Sequence, residues 1–461
     1  MVPVNDTIVA LATPPGRSGI GIIRLSGPQS LEILRRLVAN EQFAPHPNFL
    51  TLQNLIDPAS NKTLDQALVC YFKAPHSFTG EDVVEFHCHG SPALLRTIID
   101  ITLSLEARMA TAGEFSLRAV AHGRMKLSEA EAIRDLINAQ TDAALRQATR
   151  QLTGEISHTV QQLKDELLRV IVRLESSLEF VEDDLPAVEQ EQMLATLRQV
   201  RSRCEQMAAS FQRGKLLRDG LRVTLVGRPN AGKSSLFNSL LGKPRAIVHD
   251  IPGTTRDAIS EPVGIDGVPI LITDTAGLRI SADQVEAIGV DRTKREAADS
   301  DLLLVVIDGA QPLTDEDRNT LAEALRHRHV IALNKTDLED FSSSRLADNL
   351  LPASEDSPVV FVSAKTGAGL DELRAAILKP FTNGHLHGED GLLITNARHH
   401  DLLLRAVGAI STAEALLQDG ASEELILVGL HDALRYVGEI TGETTSDQIL
   451  GEIFSTFCIG K

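Results

Sequence analysis

The feature that most constrains the fold of this chain is GRPNAGKSS, a stretch that starts at Gly227. It follows the apolar run LRVTLVG and precedes a helical pattern, which is the strand–loop–helix setting of a phosphate-binding loop. Gly227 and Gly232 allow a tight turn that points backbone N–H groups at phosphate oxygens. Lys233 adds a positive charge there, and the Ser234 hydroxyl can bind Mg²⁺. The stretch predicts a nucleotide-binding α/β domain, and the loop residues expected to contact the nucleotide also include Asn230, Ala231 and Ser235.

Four further motifs follow this loop in order: PGTTRD, DTAG, NKTD and SAK. In NKTD, the Asp337 carboxylate can accept hydrogen bonds from the N1–H and 2-amino groups of guanine, donors that adenine does not present in that arrangement. Asn334 can reach the other edge of the purine, and Lys335 packs over the loop and the base. The motifs therefore predict GTP rather than ATP as the ligand. The second base loop is expected to consist of Ser363, Ala364 and Lys365.

The residues predicted to act on Mg²⁺ and on the γ-phosphate lie in PGTTRD and DTAG. Either Thr254 or Thr255 can supply a second protein ligand for Mg²⁺, with Thr255 preferred. Asp274 is expected to hold the ion through water, and Gly277 to lie near the γ-phosphate. The next residue is Leu278, where Ras-like GTPases have a glutamine that orients the attacking water. An isobutyl group cannot form that hydrogen bond, so either another group orients the water or the domain binds nucleotide without turnover.

The order of periodic segments predicts a multidomain α/β protein. Short β-rich runs alternate with helical patterns over residues 1–122, which predicts an α+β domain. Helical spacing dominates residues 123–216 and returns over residues 382–461 after a polar linker. Between them, strands alternate with helices over residues 217–381, which predicts a Ras-like phosphate-loop domain, or G domain, with a mostly parallel sheet. The economical interpretation is a discontinuous helical domain into which the G domain is inserted.

Composition limits the partners and the location of the protein. The chain has 45 Lys and Arg residues against 63 Asp and Glu residues, a formal net charge of −18. Any nucleic acid must therefore meet a local basic patch or a helper protein. The apolar runs are too short to cross a bilayer and the first residues lack a signal-peptide pattern, which predicts a cytoplasmic protein with no membrane partner.

Cysteine and histidine spacing favours neither a disulfide framework nor a zinc site. The four cysteines are Cys70, Cys88, Cys204 and Cys458. They contain no Cys-x-x-Cys pair, so reduced thiols are expected. His87 and His89 would point to one face of a strand, where they could bind a metal. Partly buried strand residues are the favoured interpretation, because no further ligand follows at a suitable spacing.

Six stretches together resemble the MnmE family, also called TrmE, of bacterial and organellar tRNA-modification GTPases. They are TIVALATPPGRSGIGIIRLSG, SFTGED, GRPNAGKSSLFN, PGTTRD, DTAGLR and the terminal FCIGK. The first and last of these blocks are specific to this family rather than to GTPases at large. The resemblance implies a GTPase that acts with the flavoprotein MnmG in a heterotetrameric or larger complex. Together they add an aminomethyl or carboxymethylaminomethyl group to C5 of the wobble uridine of certain tRNAs.

The resemblance also implies how hydrolysis proceeds without the glutamine. G domains of the family dimerise across their nucleotides in a potassium-dependent manner, and a cation at the β/γ bridge neutralises developing charge as a guanidinium would. Asn230 resembles the potassium ligand of the family. Carbonyl groups near His249 and Ile251, together with Thr254, resemble the rest of the cage around the ion. Glu286 corresponds to the catalytic glutamate that orients the water.

For the N-terminal domain, the resemblance implies a constitutive homodimer that binds 5-formyl-tetrahydrofolate or a related one-carbon folate. The residues that resemble the folate contacts are Arg24, Glu81, Arg124 and Lys461. The cations suit the glutamyl carboxylates of a folate, and Glu81 suits the N–H donors of the pterin. Lys126 is an open alternative to Arg124.

The terminal CIGK leaves three interpretations of Cys458. A prenylation box fits poorly because Gly and Lys occupy its last two positions. A structural cysteine is the plain interpretation from the residues. The resemblance implies a catalytic thiol near the folate, which attacks a carbon, protonates an intermediate or only shapes the pocket.

Two functions from other classes also fit the GTPase motifs. One is a GTP-regulated RNA-binding or ribosome-assembly factor, and the other is a regulatory switch without one-carbon chemistry. The net charge of −18 and an aromatic content of 3% argue against an added basic RNA-binding module. Folate binding would discriminate, because neither alternative requires it.

Overall fold

The chain divides into two units in the computed structural model, which describes residues 6–179, 187–242, 259–274, 300–343, 358–382, 391–443 and 445–460. The first unit contains Met1–Ile137, Thr149–Arg201 and Arg405–Lys461. The second unit contains Asn138–Ala148 and Ser202–Leu404.

The N-terminal part of the first unit is built on a six-stranded sheet, as its short β-rich runs predict. The strands are β1 (Ile8–Leu11), β2 (Ser18–Ser26), β3 (Leu50–Ile56), β4 (Thr63–Phe72), β5 (Val83–Gly90) and β6 (Arg108–Met109). Their order is β3-β4-β5-β2-β1-β6, with β1 and β6 parallel and the other neighbours antiparallel. Two helices, α1 (Ser30–Leu37) and α2 (Pro92–Ser104), cover one face and bury apolar side chains such as Ile23, Phe86 and Ile98.

The other face of this sheet is only partly covered by the described residues. Helix α3 (Glu114–Ala121) places Phe115 against β1 on that face. Leu50, Leu52 and Leu68 share it, because Leu52 lies directly opposite Leu68 and residues two apart on a strand point the same way. These three side chains are 40–55% exposed. They form what we call the leucine patch.

Long helices follow, as the helical spacing predicts. They are α4 (Leu127–Asn138), α5 (Asp142–Leu152), α6 (Glu155–Glu179), α7 (Ala187–Ala209) and α8 (Phe211–Asp219). Apolar residues on α6 recur three or four positions apart, and Val160, Leu163 and Leu167 among them are buried. Among these helices, α4, α5 and α7 each contain a boundary between the two units.

The second unit is centred on another six-stranded sheet. Its strands are β7 (Leu221–Val226), β8 (Ile259–Ile265), β9 (Val268–Asp274), β10 (Leu302–Asp308), β11 (His329–Asn334) and β12 (Val359–Phe361). The order is β12-β11-β10-β7-β9-β8, and neighbours are parallel except β8 with β9. Every residue of β10 and β11 is buried, which explains their continuous apolar runs. Within the described ranges, the helices α9 (Lys233–Leu241), α10 (Asp315–Ala324) and α11 (Leu370–Thr382) follow strands of this sheet.

The start of α5 also belongs to the second unit. Thr141 Oγ1 donates a hydrogen bond to Gly267 O at 2.7 Å, in the turn between β8 and β9. Gln147 Nε2 donates to Gly391 O at 3.0 Å. Residues that precede the strands of this sheet in the sequence therefore belong to the same unit as the sheet.

Three helices complete the described chain: α12 (Ala397–Gln418), α13 (Glu423–Thr441) and α14 (Asp447–Ser455). In the first unit α13 lies along α6. Lys164 pairs with Glu443, and His431 Nε2 lies 3.4 Å from Glu175 Oε1. These pairs run in opposite chain directions, so the two helices are antiparallel.

The C-terminal residues pack on the N-terminal part of the first unit. Ile459 forms an antiparallel bridge with Ala112, and Arg134 Nη1 donates to Thr456 Oγ1 at 2.7 Å. Phe457 is buried in a cluster with residues of α4. The two ends of the sequence thus meet in one unit.

The predicted multidomain α/β class is confirmed, with an α+β N-terminal part, long helices and a mostly parallel sheet. Within the described ranges, no helix combines the length and the apolar character needed to span a membrane.

Candidate functional site

The phosphate-binding loop connects β7 to α9, as its sequence predicts. Gly227 and Gly232 have φ angles of +148° and +98°. A Cβ at Gly227 would lie 2.3 Å from Val306 O, and one at Gly232 would lie 2.2 Å from Asn334 Nδ2. Both positions therefore require glycine, because of the backbone angle and because of the close neighbours.

Lys233 and two serines form the first turn of α9. Lys233 Nζ donates to the carbonyl oxygens of Gly227 at 2.6 Å and Arg228 at 2.9 Å. Ser234 and Ser235 are exposed beside it. A helix N-terminus favours anions, and a serine hydroxyl is the kind of oxygen ligand that Mg²⁺ takes alongside phosphates and water. The donor set fits a nucleoside phosphate with Mg²⁺.

Asn334, at the end of β11, holds three loops together. Its buried side chain donates through Nδ2 to Ala231 O of the phosphate loop at 3.0 Å. Its Oδ1 accepts from Ala364 N at 3.0 Å. The structure therefore brings the phosphate loop, NKTD and SAK to the carboxyl edge of the parallel sheet, where ligands of such sheets bind.

Asp337 is exposed, with a carboxylate fixed from one side. Its Oδ1 accepts from Ser363 Oγ at 2.7 Å. This hydrogen bond lowers the pKa of the Asp337 carboxyl below its usual value of 3.8, and the charges of Lys365 and Lys335 act in the same direction. The group is therefore ionised at neutral pH and can act only as an acceptor, as the N1–H and 2-amino donors of guanine require.

Much of the predicted hydrolysis site lies outside the described residues: Thr254, Thr255, His249, Ile251, Gly277, Leu278 and Glu286. Asp274 is the last residue of β9, and its backbone lies opposite Leu225 of β7. The strand that carries this residue thus ends beside the strand that leads into the phosphate loop. Asn230, the predicted potassium ligand, is exposed in that loop with a φ of +65°.

In the N-terminal domain, two predicted folate contacts meet at the loop of residues 77–82. Glu81 belongs to this loop, and its Oε2 accepts from Ser26 Oγ at 2.6 Å. Arg124 Nε donates to Ser77 O at 3.0 Å. Lys126, the alternative to Arg124, is exposed.

The third predicted contact, Arg24, reaches the same loop from β2. Its guanidinium carbon lies 5.6 Å from the ring centre of Phe78 and 5.8 Å from that of Phe115. Its Nε and Nη2 both lie 2.8 Å from Glu85 Oε1, and Glu85 Oε2 lies 3.2 Å from His87 Nε2. Two aromatic rings and one carboxylate therefore fix the guanidinium, which remains partly exposed.

Glu81 also contacts a cluster of buried charged side chains. Arg118 is 2% exposed, and its guanidinium lies 3.1 Å from Glu81, 2.6 Å from Asp6 and 2.9 Å from Glu114. Arg108 Nη2 lies 2.5 Å from Glu114 Oε1 and its Nε 2.5 Å from Asp6 Oδ2. Glu81 is therefore oriented by a buried arginine as well as by Ser26.

Glu114 carries a strongly shifted pKa within this cluster. Burial acts to raise the pKa of its carboxyl, but hydrogen bonds from Arg108, Thr111 and Arg118 and the charge of Arg108 outweigh burial. The pKa falls from 4.5 to about 2. The cluster therefore holds this carboxylate in its charged form.

Cys458 is exposed at the surface of the N-terminal domain. Its carbonyl oxygen accepts from Gly113 N at 3.3 Å, and the next residue forms the bridge with Ala112. Lys461, the remaining predicted folate contact, lies outside the described residues. The other three cysteines, Cys70, Cys88 and Cys204, are buried.

The two histidines of HCHG contact different carboxylates. His87 contacts Glu85, and His89 Nδ1 lies 2.7 Å from Asp65 Oδ1. In the part of the chain that the structure describes, no three His, Cys, Asp or Glu side chains are grouped as a metal site.

Sequence reasoning missed Glu85 and Arg118. Glu85 lies directly opposite Arg24 in the register of β2 and β5, so a correct alignment of these two strands would have found it. Arg118 lies four residues after Glu114 on α3, and this spacing indicates a helical ion pair.

Comparisons with known proteins cover nearly the whole chain. The family described as "MnmE helical domain" matches residues 127–458, and that described as "GTP-binding protein TrmE N-terminus" matches residues 7–124. The "tRNA modification GTPase MnmE" of Koribacter versatilis is 40% identical over 461 residues, covering 99% of this chain and 100% of the relative. The protein of the same name from Heliobacterium modesticaldum is 41% identical over 475 residues, with the same coverage. Among solved structures, the G domain of the T. maritima FeoB iron transporter aligns with 34% of this chain and 97% of its own at 28% identity, with a TM-score of 0.27.

Proposed function

The chain belongs to the MnmE (TrmE) family, and from that premise we propose that it is a tRNA-modification GTPase that hydrolyses GTP to GDP and phosphate. The observation that carries this proposal is the pair of hydrogen bonds from Asn334, which joins the phosphate loop to both loops expected around guanine. The modification we propose is an aminomethyl or carboxymethylaminomethyl group at C5 of a wobble uridine, added together with the flavoprotein MnmG.

At the nucleotide, we assign a task to each residue of the predicted site. Asp337 accepts hydrogen bonds from the base, and Lys233 exchanges its two carbonyl contacts for phosphate oxygens when the nucleotide binds. Ser234 and Thr255 would ligate Mg²⁺, and Asp274 would hold it through water. The ion would supply positive charge for the phosphate oxygens of the nucleotide.

Hydrolysis uses a group other than Leu278 to orient water. We assign that role to Glu286 and assign a K⁺ site to Asn230, Thr254 and the carbonyl groups near His249 and Ile251. The exposed position of Asn230 within the phosphate loop supports this assignment. G-domain dimerisation and turnover are then potassium-dependent, and hydrolysis drives a conformational step.

The N-terminal domain binds 5-formyl-tetrahydrofolate or a related one-carbon folate. Arg24, Arg124 and Lys461 meet its carboxylates and Glu81 meets its pterin. The convergence of Arg24, Glu81 and Arg124 on residues 77–82 supports this assignment, and the bond from Arg124 to that loop favours it over Lys126. Cys458 is the candidate thiol for the carbon chemistry.

The proposed assembly is a homodimer that joins MnmG in a heterotetrameric or larger complex and acts on tRNA in the cytoplasm. The leucine patch supports the homodimer, because exposed apolar patches of this kind mark interaction surfaces. The net charge of −18 supports tRNA contacts that are confined to local basic surface or made by the partner.

The deciding experiment is steady-state GTP hydrolysis in potassium and in sodium at equal ionic strength. We expect strong potassium dependence in the wild type, no multiple turnover in Glu286→Ala with GTP binding kept, and no difference between the salts in Asn230→Ala. Glu316→Ala, an exposed carboxylate on α10, is the matched control and should behave as wild type. Equal rates in both salts for the wild type would contradict the potassium site, and full turnover of Glu286→Ala would remove its assigned role.

Folate binding separates this proposal from an RNA-binding factor or a regulatory switch. Equilibrium dialysis with 5-formyl-tetrahydrofolate should show binding to the wild type and weaker binding to Arg124→Gln. Lys126→Gln, two residues away, should bind as the wild type does. Absence of binding to the wild type would favour the other two functions.

A further inference from the structure

Asp308 is a buried acidic residue outside the GTPase motifs. It is the last residue of β10, is 3% exposed, and lies directly opposite Asn334 in the register of β10 and β11. The same strand pairs with β7 on its other side. Its carboxyl end therefore lies between the phosphate loop and NKTD. A side chain of this type is rarely buried unless it is paired.

The Asp308 carboxylate contacts a cation from each of these loops. Its Oδ2 lies 2.7 Å from Lys335 Nζ, which donates to it, and 3.9 Å from Arg228 Nη2. Its Oδ1 accepts from Ala310 N at 3.0 Å. One carboxylate thus joins the lysine of NKTD to the arginine of GRPNAGKSS.

The backbone of Lys335 and further partners of Arg228 add to this arrangement. Lys335 has a φ of +73°, so its backbone turns sharply away from β11 while its ammonium returns to the end of β10. Arg228 Nη2 donates to Gln311 Oε1 at 3.2 Å, and its Nε lies 3.5 Å from Asp317 Oδ2, at the start of α10. The side-chain path of Lys335 is therefore defined at both ends.

We propose that Asp308 is a positioning residue for the guanine nucleotide. It holds the Lys335 ammonium so that the aliphatic stem of Lys335 lies ready along the face of the base, and through Arg228 it ties that stem to the phosphate loop. A lysine stem that is free in solvent loses rotamer entropy when a base packs on it, and an ion pair formed beforehand removes that cost. This inference deepens the proposed GTP site and rests on it.

The test is a double-mutant cycle on the affinity of the full chain for mant-GDP, a fluorescent GDP. We expect Asp308→Asn and Lys335→Met each to weaken binding about tenfold, and the double variant to bind within about twofold of Lys335→Met, because Asp308 acts through Lys335. A purely structural Asp308 would weaken binding in the Lys335→Met background too. Multiplied effects in the double variant, or unchanged affinity of Asp308→Asn, would overturn the proposal.

Three controls complete the cycle. Asp315→Asn, an exposed carboxylate on α10 that pairs with Arg318, should leave the affinity unchanged. If circular dichroism shows Asp308→Asn to be unfolded, Asp308→Glu replaces it in the cycle with the same two outcomes. The wild type is also titrated with mant-ADP. Equal affinity for mant-GDP and mant-ADP would contradict the proposed GTP site itself. A preference for mant-GDP together with multiplied effects in the double variant would contradict only the role of Asp308.

Discussion

At the scale of single residues, the N-terminal domain depends on a buried ion cluster beneath its candidate folate site. Arg118 and Glu114 are almost fully buried, and each has partners of opposite charge on more than one element. A buried ion pair contributes little net stability, but removing one member leaves an uncompensated charge that costs roughly 3–5 kcal/mol. The cluster therefore makes the orientation of Glu81 depend on the ionisation of its neighbours.

The first prediction concerns the pH dependence of stability through Glu114. Its pKa is lower in the folded state, about 2 against 4.5, so its contribution is fully present above pH 4.5 and is lost as the pH falls towards 2. A tenfold change in a protonation equilibrium is worth about 1.4 kcal/mol, which makes the contribution roughly 3 kcal/mol. Hydrogen exchange of β5 amides should show wild type and Glu114→Gln differing strongly at pH 6 and converging towards pH 2. A difference that does not change with pH would contradict the assignment.

The nucleotide loops could be predicted from the sequence because their signals are local. GRPNAGKSS and NKTD carry their chemistry within a few consecutive residues, and the apolar runs of β7 and β10 predict the parallel strands that hold them. Glu85 and Arg118 could not be found in this way. Their partners Arg24 and Glu81 lie 61 and 37 positions away, so strand register and tertiary packing decide the contacts. Asp308 was missed for the same reason. Its contacts with Lys335 and Arg228 exist only because β10 lies between β7 and β11 in the sheet.

At the scale of elements, α8 packs closely against the segment that leads into α12. Gly214 lies where a Cβ would be 2.1 Å from Ile394 O. Ile394 N donates to Ser210 Oγ at 3.0 Å, and Arg218 Nη1 donates to Thr395 O at 3.3 Å. The two segments therefore approach at van der Waals distance along their backbones, which only glycine allows.

The second prediction is that Gly214→Ala destabilises the second unit. The new methyl must displace backbone, a form of overpacking that costs about 1–3 kcal/mol. Gly408→Ala, on α12, is the matched control: its Cβ would meet nothing within 4 Å, and alanine there should stabilise by up to about 1 kcal/mol. Thermal unfolding followed by circular dichroism at 222 nm measures both. An unchanged unfolding temperature for Gly214→Ala would show that the two segments are not in contact.

At the scale of the whole molecule, the N-terminal sheet combines an apolar surface with a charged row. The leucine patch lies on the same face as Arg24, Glu85 and His87, since His87 is directly opposite Leu68. A second copy of the chain seated on the patch would therefore border the candidate folate residues. Dimerisation and folate binding would then depend on one surface.

The third prediction is that Leu52→Glu combined with Leu68→Glu separates the proposed homodimer. Two buried carboxylates on an apolar interface oppose association, because each charge must be desolvated there. Size-exclusion chromatography with light scattering should report a dimer for the wild type and a folded monomer for the double variant. Leu425→Glu, an equally exposed leucine on α13, should stay dimeric. A dimeric double variant would place the interface elsewhere.

The bridge between Ile459 and Ala112 has a consequence for synthesis on the ribosome. Arg134 and Thr456, which bond beside it, lie 322 positions apart. The N-terminal sheet can form as soon as it emerges from the ribosome. The contacts around Gly113 form later, because their partners near residue 458 are translated after the entire nucleotide-binding domain. The candidate folate site therefore begins with the first part of the chain to be translated and is completed only by the last part. A nascent chain stalled after residue 440 would hold an intact sheet and a finished GTP site, yet lack the segment that carries Cys458.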